Sequence, residues 1–96
     1  MYDIYQRIAE KNPDIVKIAT KARNHSDNLR MLNLIVGADR DIIGICTGQE
    51  GRITRVYGPA LGGYLTFASL SEEKSSDPGQ LTVGELRQAW QLLKLE

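Results

Sequence analysis

The 96-residue chain is short of several residue types that whole classes of protein depend on. Its single cysteine, Cys46, excludes an internal disulfide and leads us to expect a reducing, cytoplasmic environment. One cysteine and one histidine, His25, also leave little from which to build a transition-metal site. The chain is long enough for one small domain, but at this size a free-standing core is marginal.

The sequence also lacks an excess of charge of either sign and any long apolar run. Lys and Arg together number 12, and Asp and Glu together number 12, so the basic excess typical of a nucleic-acid binder is absent. No apolar run approaches the roughly 18 residues of a membrane span. The first residues do not have the charged and then apolar layout of a secretory signal. We therefore expect neither a nucleic acid nor a membrane among the partners.

What the sequence does contain is an alternation of helical and strand patterns. Apolar residues at helical spacing, or alternating and β-branched runs, predict each element in turn. The polar stretch 71–80, with its Asp-Pro-Gly turn residues, predicts a loop. The predicted helices cover 2–11, 26–37, a short segment within 52–64 and a last segment from 82 onward, and the predicted strands cover 14–20, 41–48 and 64–70.

Individual residues predict where the helices begin and end and which of their faces are buried. Ser26 is the expected N-cap of the second helix and Gly37 its C-terminal stop, while Gly58-Pro59 is expected to break the third. Thr82 and Glu85 form a T-x-x-E capping box at the start of the last helix. The buried stripes are predicted to be Leu29, Leu32, Ile35 and Val36 in the second helix, and Leu86, Ala89, Trp90 and Leu93 in the last.

The order helix, strand, helix, strand, helix, strand, helix is typical of an α/β protein. The strands begin roughly 25 residues apart, as in βα units that build a parallel sheet. Such spacing leaves two architectures open, an open doubly wound sheet or part of a βα barrel. Parallel strands need both faces of their sheet covered, and a chain of this length is too short to cover both.

Lys17 lies inside an apolar strand, where an ammonium group is unexpected. Because side chains alternate along a strand, Ile15, Lys17 and Ala19 share one face, opposite Val16 and Ile18. If the latter two meet the helices, Lys17 points into the barrel interior, close to where barrel enzymes place their sites. A sheltered, neutral amine can attack a ketone and form a Schiff base. The alternative is an edge lysine that reaches into water and discourages aggregation.

Three segments in order carry a family resemblance: DIVKIAT, GRITRVYG and KSSDPGQL, the last followed by the capped helix. Together they resemble the C-terminal part of type I 3-dehydroquinate dehydratase. The resemblance implies a partial (β/α)8 TIM barrel, with residues 1–96 as a single C-terminal segment that holds strands six to eight and their flanking helices. It also implies dehydration of 3-dehydroquinate to 3-dehydroshikimate, in the shikimate pathway, with no metal or nucleotide cofactor.

The resemblance assigns roles to four residues. Lys17 matches the Schiff-base lysine, and Arg55 matches the arginine that holds the substrate carboxylate through two parallel hydrogen bonds. Ser76 and Gln80 match polar residues of a loop that folds over the substrate and excludes water. By contrast, Ile45 and Thr47 stand where many relatives have methionines.

The family's acid/base histidine belongs to an earlier strand that this sequence does not include. His25 does not match it, and Cys46 lies on the opposite strand face, where packing is expected. The isolated chain is therefore expected to have little or no activity.

Two alternatives stay open beside the dehydratase. The chain could be a non-catalytic association module, because an incomplete barrel leaves strand edges unpaired and its apolar interior exposed, around Ile15, Ile43 or Ile45, and Leu65 or Phe67. Pairing with itself or with the missing N-terminal half would then be expected. It could also be another Schiff-base barrel enzyme such as a class I aldolase, although the S-x-P-G-Q loop argues against this.

Overall fold

The computed structural model describes residues 2–71 and 77–95. Helices and strands alternate along the chain as far as residue 60, as the sequence pattern predicts. The strands are β1, Ile15–Lys21, and β2, Asp41–Thr47. The α-helices are α1, Tyr2–Ala9; α2, Asp27–Gly37; α3, Arg52–Ala60; and α4, Val83–Leu93, with a turn of 3-10 helix at Gln49–Gly51 between β2 and α3.

The two strands lie side by side and run in parallel. Their register joins Ile15 to Asp41 and continues without a break to Lys21 and Thr47. Val16 and Ile18 face the helices and are buried, whereas Lys17 and Ala19 on the other face are exposed. The predicted alternation of faces along β1 is therefore confirmed. The main core lies between the sheet and α1 and α2, and consists of Tyr5, Val16, Ile18, Ala22, Met31, Leu34, Ile35, Ile42 and Cys46.

The predicted third strand, 64–70, is wrong for the part of the chain that the structure describes. This segment has only one backbone hydrogen bond to β2, from Tyr64 N to Ile42 O at 2.7 Å, and an isolated bridge between Ser69 and Thr82. A strand needs a ladder of such bonds, and a single bond to β2 does not form one. The sheet accordingly has two strands rather than three.

The buried face of α2 differs from the predicted stripe. Leu29 and Val36 are each 62% exposed, and the helix instead buries Asn28, Met31, Leu34 and Ile35. Both sets have helical spacing, so the rotation of the helix is decided by the sheet against which it packs. Ser26 precedes the helix as predicted, but its side chain does not cap a backbone N–H. Asn24 Oδ1 accepts a hydrogen bond from Asp27 N instead.

The third helix is not broken at Gly58-Pro59. It continues through Pro59 and ends one residue later, at Ala60, although Pro59 lacks the N–H that would donate to the preceding turn. The capping box of α4 is confirmed, since Thr82 Oγ1 accepts from Glu85 N and Glu85 Oε1 accepts from Thr82 N.

A second, smaller core joins α3 and α4. Val56, Leu81 and Leu86 are buried there, with Ala89, Trp90 and Leu95 partly buried against them. Leu93, predicted to be buried, is 44% exposed. The helix ends in a left-handed turn at Lys94, which brings Leu95 back to the cluster in its place. In residues 2–71 and 77–95, no helix is long and apolar enough to cross a bilayer.

Candidate active site

A cleft of about 400 Å³ opens on the sheet face that the helices leave uncovered. It lies along the C-terminal halves of both strands, where α/β folds place their ligands. The residues that line it are Lys17, Ala19, Ile45, Thr47, Arg55, Phe67, Asp77 and Gln80. The structure thus brings together three of the four residues predicted from the sequence. The fourth, Ser76, lies outside the described residues.

Lys17 reaches the cleft from the middle of β1. Its Nζ lies over the ring of Phe67, 4.9 Å from the ring centroid, within the range of a cation–π contact. The side chain is exposed, so the described residues do not provide the shelter that the sequence led us to expect. Phe67, 39% exposed, covers the amine from one side only.

Arg55 enters the same cleft from the first turns of α3. Its side chain is only 4% exposed. The neighbouring Thr54 fixes this part of the helix, because its Oγ1 donates to Gly51 O at 2.8 Å and accepts from Cys46 N at 2.9 Å. The bond from Cys46 N ties α3 directly to the end of β2. Arg55 is therefore held by a buried polar contact between the helix and the sheet.

Asp77 is the site residue that sequence reasoning missed. Its Oδ2 lies 3.0 Å from Arg55 Nη2, and both carboxylate oxygens lie 3.2 Å from Gly48 N. The sequence places Asp77 in an Asp-Pro-Gly turn. Turn formation alone is enough to explain an aspartate at this position, so nothing in the pattern indicates a contact with another side chain. The only available signal was a carboxylate in the same loop as Ser76 and Gln80, the two predicted substrate-binding residues.

The loop that carries Asp77 and Gln80 packs tightly on the end of β2. A methyl group at Gly79 would lie 1.8 Å from the carbonyl oxygen of Gly48, so only glycine allows this approach. Gly79 N also donates to Asp77 Oδ2 at 3.1 Å. Arg52 Nη2 reaches Pro78 O at 3.5 Å from α3. Gln80, half-buried, is thereby held at the rim of the cleft.

The strand β2 supplies the floor of the cleft. Ile45 and Thr47 both line it, at the positions where the resemblance had drawn attention to a difference from many relatives. Ile43 and Ile45, proposed as exposed interior residues, are 9% and 4% exposed, so that expectation is wrong for them. Ile15, Leu65 and Phe67 do remain 38–39% exposed.

Two residues that were expected to have no role lie away from the cleft. Cys46 is completely buried in the main core on the other face of β2, and burial raises the pKa of its thiol. A thiol of this kind is a packing group and a poor nucleophile, as predicted. His25 is exposed in the segment between β1 and α2.

The fold and the cleft define a class: an α/β chain of parallel βα units with a lysine and an arginine facing one cleft beside the strand ends. The model of the type I 3-dehydroquinase family matches residues 1–96, and the chain belongs to that family. It is 41% identical over 90 residues to 3-dehydroquinate dehydratase of Methanopyrus kandleri, a match over 94% of this chain and 40% of the relative. It is 42% identical over 88 residues to the Thermococcus gammatolerans enzyme, covering 92% of this chain and 39% of that one.

Solved structures of 3-dehydroquinate dehydratases are also similar to this chain. The dehydratase of Geobacillus kaustophilus superposes with a TM-score of 0.76 at 30% identity, over 92% of this chain and 35% of that chain. The Aquifex aeolicus enzyme gives a TM-score of 0.76 at 29% identity, over 95% and 41%. These neighbours are barrels, and the two parallel strands with their helices are consistent with part of one. The chain thus spans about 40% of the length of the relatives it matches.

Proposed function

We propose that this chain is the C-terminal segment of a 3-dehydroquinate dehydratase and contributes its Schiff-base lysine, Lys17. The observation that carries the proposal is the meeting of Lys17 and Arg55 in one cleft, in a chain that belongs to the type I 3-dehydroquinase family. The Methanopyrus kandleri and Thermococcus gammatolerans relatives are 3-dehydroquinate dehydratases. A solved relative from Clostridium difficile, 34% identical, holds covalently modified comenic acid.

The proposed chemistry begins at the amine of Lys17. Its nitrogen attacks the substrate ketone, and loss of water leaves an iminium that accepts electrons from the neighbouring carbon. That carbon then loses a proton, and the β-hydroxyl leaves as water, which forms the double bond of 3-dehydroshikimate. Hydrolysis of the iminium releases the product and restores the amine.

Arg55 would bind the carboxylate of the substrate and so fix its orientation over Lys17. A buried guanidinium suits this role, because its planar donors match a carboxylate and its charge is little screened by solvent. Gln80, at the rim, would hydrogen-bond the polar groups of the substrate. Ser76 keeps the same proposed role.

We further propose that the chain supplies strands six and seven of the family barrel and, in 64–70, the segment that forms strand eight in the complete barrel, and that a complete site needs an N-terminal portion. Three features support this. The matched relatives are more than twice as long, Lys17 is exposed, and within the described residues β1 pairs only with β2. A strand from the N-terminal portion would cover that free edge, shelter the lysine and bring the acid/base group. In a cell we expect such a complex to be cytoplasmic.

Borohydride trapping tests the role of Lys17. The chain is incubated with 3-dehydroquinate and reduced, and the adduct is located by mass spectrometry. We expect the label on Lys17 and not on Lys21, an exposed lysine on the same strand. The variant Lys17→Ala should lose the label, and Lys21→Ala should retain it. Equal labelling of both lysines would contradict the proposal, and trapping of aldolase substrates in its place would favour the aldolase.

Complementation tests the need for an N-terminal portion. The 96-residue chain is mixed with the part of the Methanopyrus kandleri enzyme that precedes the matched region, and dehydration is followed spectroscopically. We expect the chain alone to be at least 10²-fold slower than the mixture, since it lacks the acid/base group. Rapid dehydration by the chain alone would refute this.

The second candidate is an association module without catalysis. It rests on the edge of β1 that no other described strand pairs with, and on Ile15, Leu65 and Phe67, which leave part of the sheet face open to solvent. Light scattering over a concentration series would distinguish the cases: self-association with no trapped adduct favours the module, and a monomer at high concentration excludes self-pairing.

A further inference from the structure

Arg55 already has an anionic partner within the chain. Its Nη2 lies 3.0 Å from Asp77 Oδ2, and the two side chains are 4% and 17% exposed. The guanidinium is also incompletely satisfied, because its buried Nε has no hydrogen-bond partner among the described residues. The arginine proposed to bind a substrate carboxylate thus shares its donors with a carboxylate of the protein itself.

The position of Asp77 is fixed by bonds that do not involve Arg55. Gly48 N lies 3.2 Å from each carboxylate oxygen, and Gly79 N lies 3.1 Å from Oδ2. The contact between Gly79 and the Gly48 carbonyl holds the same loop from the backbone side. Asp77 therefore cannot turn away from Arg55 without losing backbone hydrogen bonds, and its charge stays in the cleft when a ligand enters.

We propose that Asp77 is an affinity-setting residue: its fixed negative charge shares Arg55 with an incoming carboxylate ligand and weakens the hold of the cleft on it. The inference rests on the proposed function, since it takes a carboxylate as the ligand of Arg55. An unpaired, buried guanidinium would bind an anion tightly in substrate and product alike. Such uniform binding lowers the KM without accelerating the chemistry, and it slows release of the product.

The charge of Asp77 can be separated from its backbone bonds. Asp77→Asn retains an oxygen that can accept from Gly48 N and Gly79 N but removes the negative charge, whereas Asp77→Ala removes both. A ligand carboxylate on Arg55 would lie within several ångströms of the Asp77 carboxylate. Repulsion across about 6 Å corresponds to a change of roughly threefold in affinity at the dielectric constant of water, and of roughly a hundredfold at the lower effective value typical of protein surfaces.

The experiment measures binding of quinate to the full 96-residue chain by NMR titration. Quinate has a carboxylate but no ketone, so it cannot form a Schiff base. Failure of the lysine chemistry therefore leaves this assay intact. Methyl quinate, which has no charge, serves as the matched ligand, and Asp41→Asn, an exposed aspartate at the other end of β2, serves as the matched variant. The indole N–H signal of Trp90 reports whether each variant folds.

We expect Asp77→Asn to bind quinate at least about threefold more tightly than the parent chain at low salt, with the gain reduced at high salt. Methyl quinate binding and the Asp41→Asn variant should show no such gain. Weaker or unchanged quinate binding by Asp77→Asn would overturn the proposal and make Asp77 a residue that only orients Arg55. A gain for both ligands alike, or no quinate binding in any variant, would overturn it as well.

Discussion

Trp90 of α4 donates a hydrogen bond from its indole Nε1 to the carbonyl oxygen of Val56 in α3, at 2.9 Å. Val56 directly follows Arg55, so this bond connects the last helix to the backbone that carries the guanidinium. The bond joins residues that are 34 positions apart in the sequence, and it is partly buried. It means that α4, which contributes no residue to the cleft, still helps to hold one of its walls.

The variant Trp90→Phe should therefore lose more than ring area. Phenylalanine retains an aromatic group against the small core of Val56, Leu81 and Leu86 but leaves the Val56 carbonyl without its donor. We expect a decrease of about 1–2 kcal/mol in the free energy of unfolding, as is usual for the loss of one partly buried hydrogen bond. Urea unfolding followed by circular dichroism measures it. As a control, Leu92→Ala, at a residue 82% exposed on the same helix, should change stability little.

Much of the architecture could be predicted because local signals and packing agree. The lysine face of β1, the parallel pairing and the capping box of α4 all follow from period and residue type. The rotation of α2 could not, because Leu29 and Asn28 both begin a helical stripe and only the sheet decides between them. The segment 64–70 has the composition of a strand, yet a strand also needs a ladder of backbone hydrogen bonds to a neighbour, and among the described residues this segment makes one such bond to β2.

The candidate site, too, could be predicted only in part from the sequence. Lys17, Arg55 and Gln80 follow from motifs and their order, and the structure places all three at one cleft. The pairing of Asp77 with Arg55 depends on how a loop folds back over the end of β2. No local pattern specifies a contact between residues 22 positions apart, so this feature needed the three-dimensional structure.

Acid should weaken the attachment of α1 through Asp39. Tyr5 donates to the Asp39 carboxylate, and Arg40 Nε lies 3.3 Å from it. The hydrogen bond from Tyr5, and then that from Arg40, lower the pKa of Asp39 below its ordinary value of 3.8. A carboxylate whose pKa is lowered by folding stabilises the fold above its unfolded pKa, and this contribution is lost as the pH falls through the folded pKa.

We therefore expect the melting temperature to fall as the pH is lowered below about 4, in part because of Asp39. In Asp39→Asn that part of the decline should be missing, so the two curves should converge in strong acid. Thermal melts at several pH values give both curves. Asp14→Asn, at an exposed aspartate, is the control for charge removal. Parallel curves for the parent and Asp39→Asn would mean that the Tyr5 contact does not depend on ionisation.

Alanine at Gly79 should displace the loop that carries Asp77 and Gln80. The added methyl group would lie 1.8 Å from Gly48 O, a backbone atom that cannot move without disturbing the end of β2. We expect destabilisation of about 1–3 kcal/mol and altered NMR shifts at Gly48 and Arg55. Gly37→Ala is the matched control, since a methyl group there meets no atom within 4 Å. Equal effects of the two substitutions would contradict the close packing of loop and strand.

The last prediction concerns the hydroxyl group of Thr54, whose hydrogen bonds should affect both the stability of the fold and the position of Arg55. Thr54 is 1% exposed, and its hydroxyl oxygen is the acceptor for the buried N–H of Cys46. Thr54→Val preserves the shape of the side chain but leaves that N–H without a partner, so we expect a loss of about 1–3 kcal/mol. Thr54→Ser, which keeps the hydroxyl, should lose less. Since the bond also fixes the first turn of α3, quinate binding through Arg55 should weaken in the valine variant and recover in the serine variant. If both variants were equally destabilised and bound quinate alike, the hydroxyl would have no part in positioning the arginine.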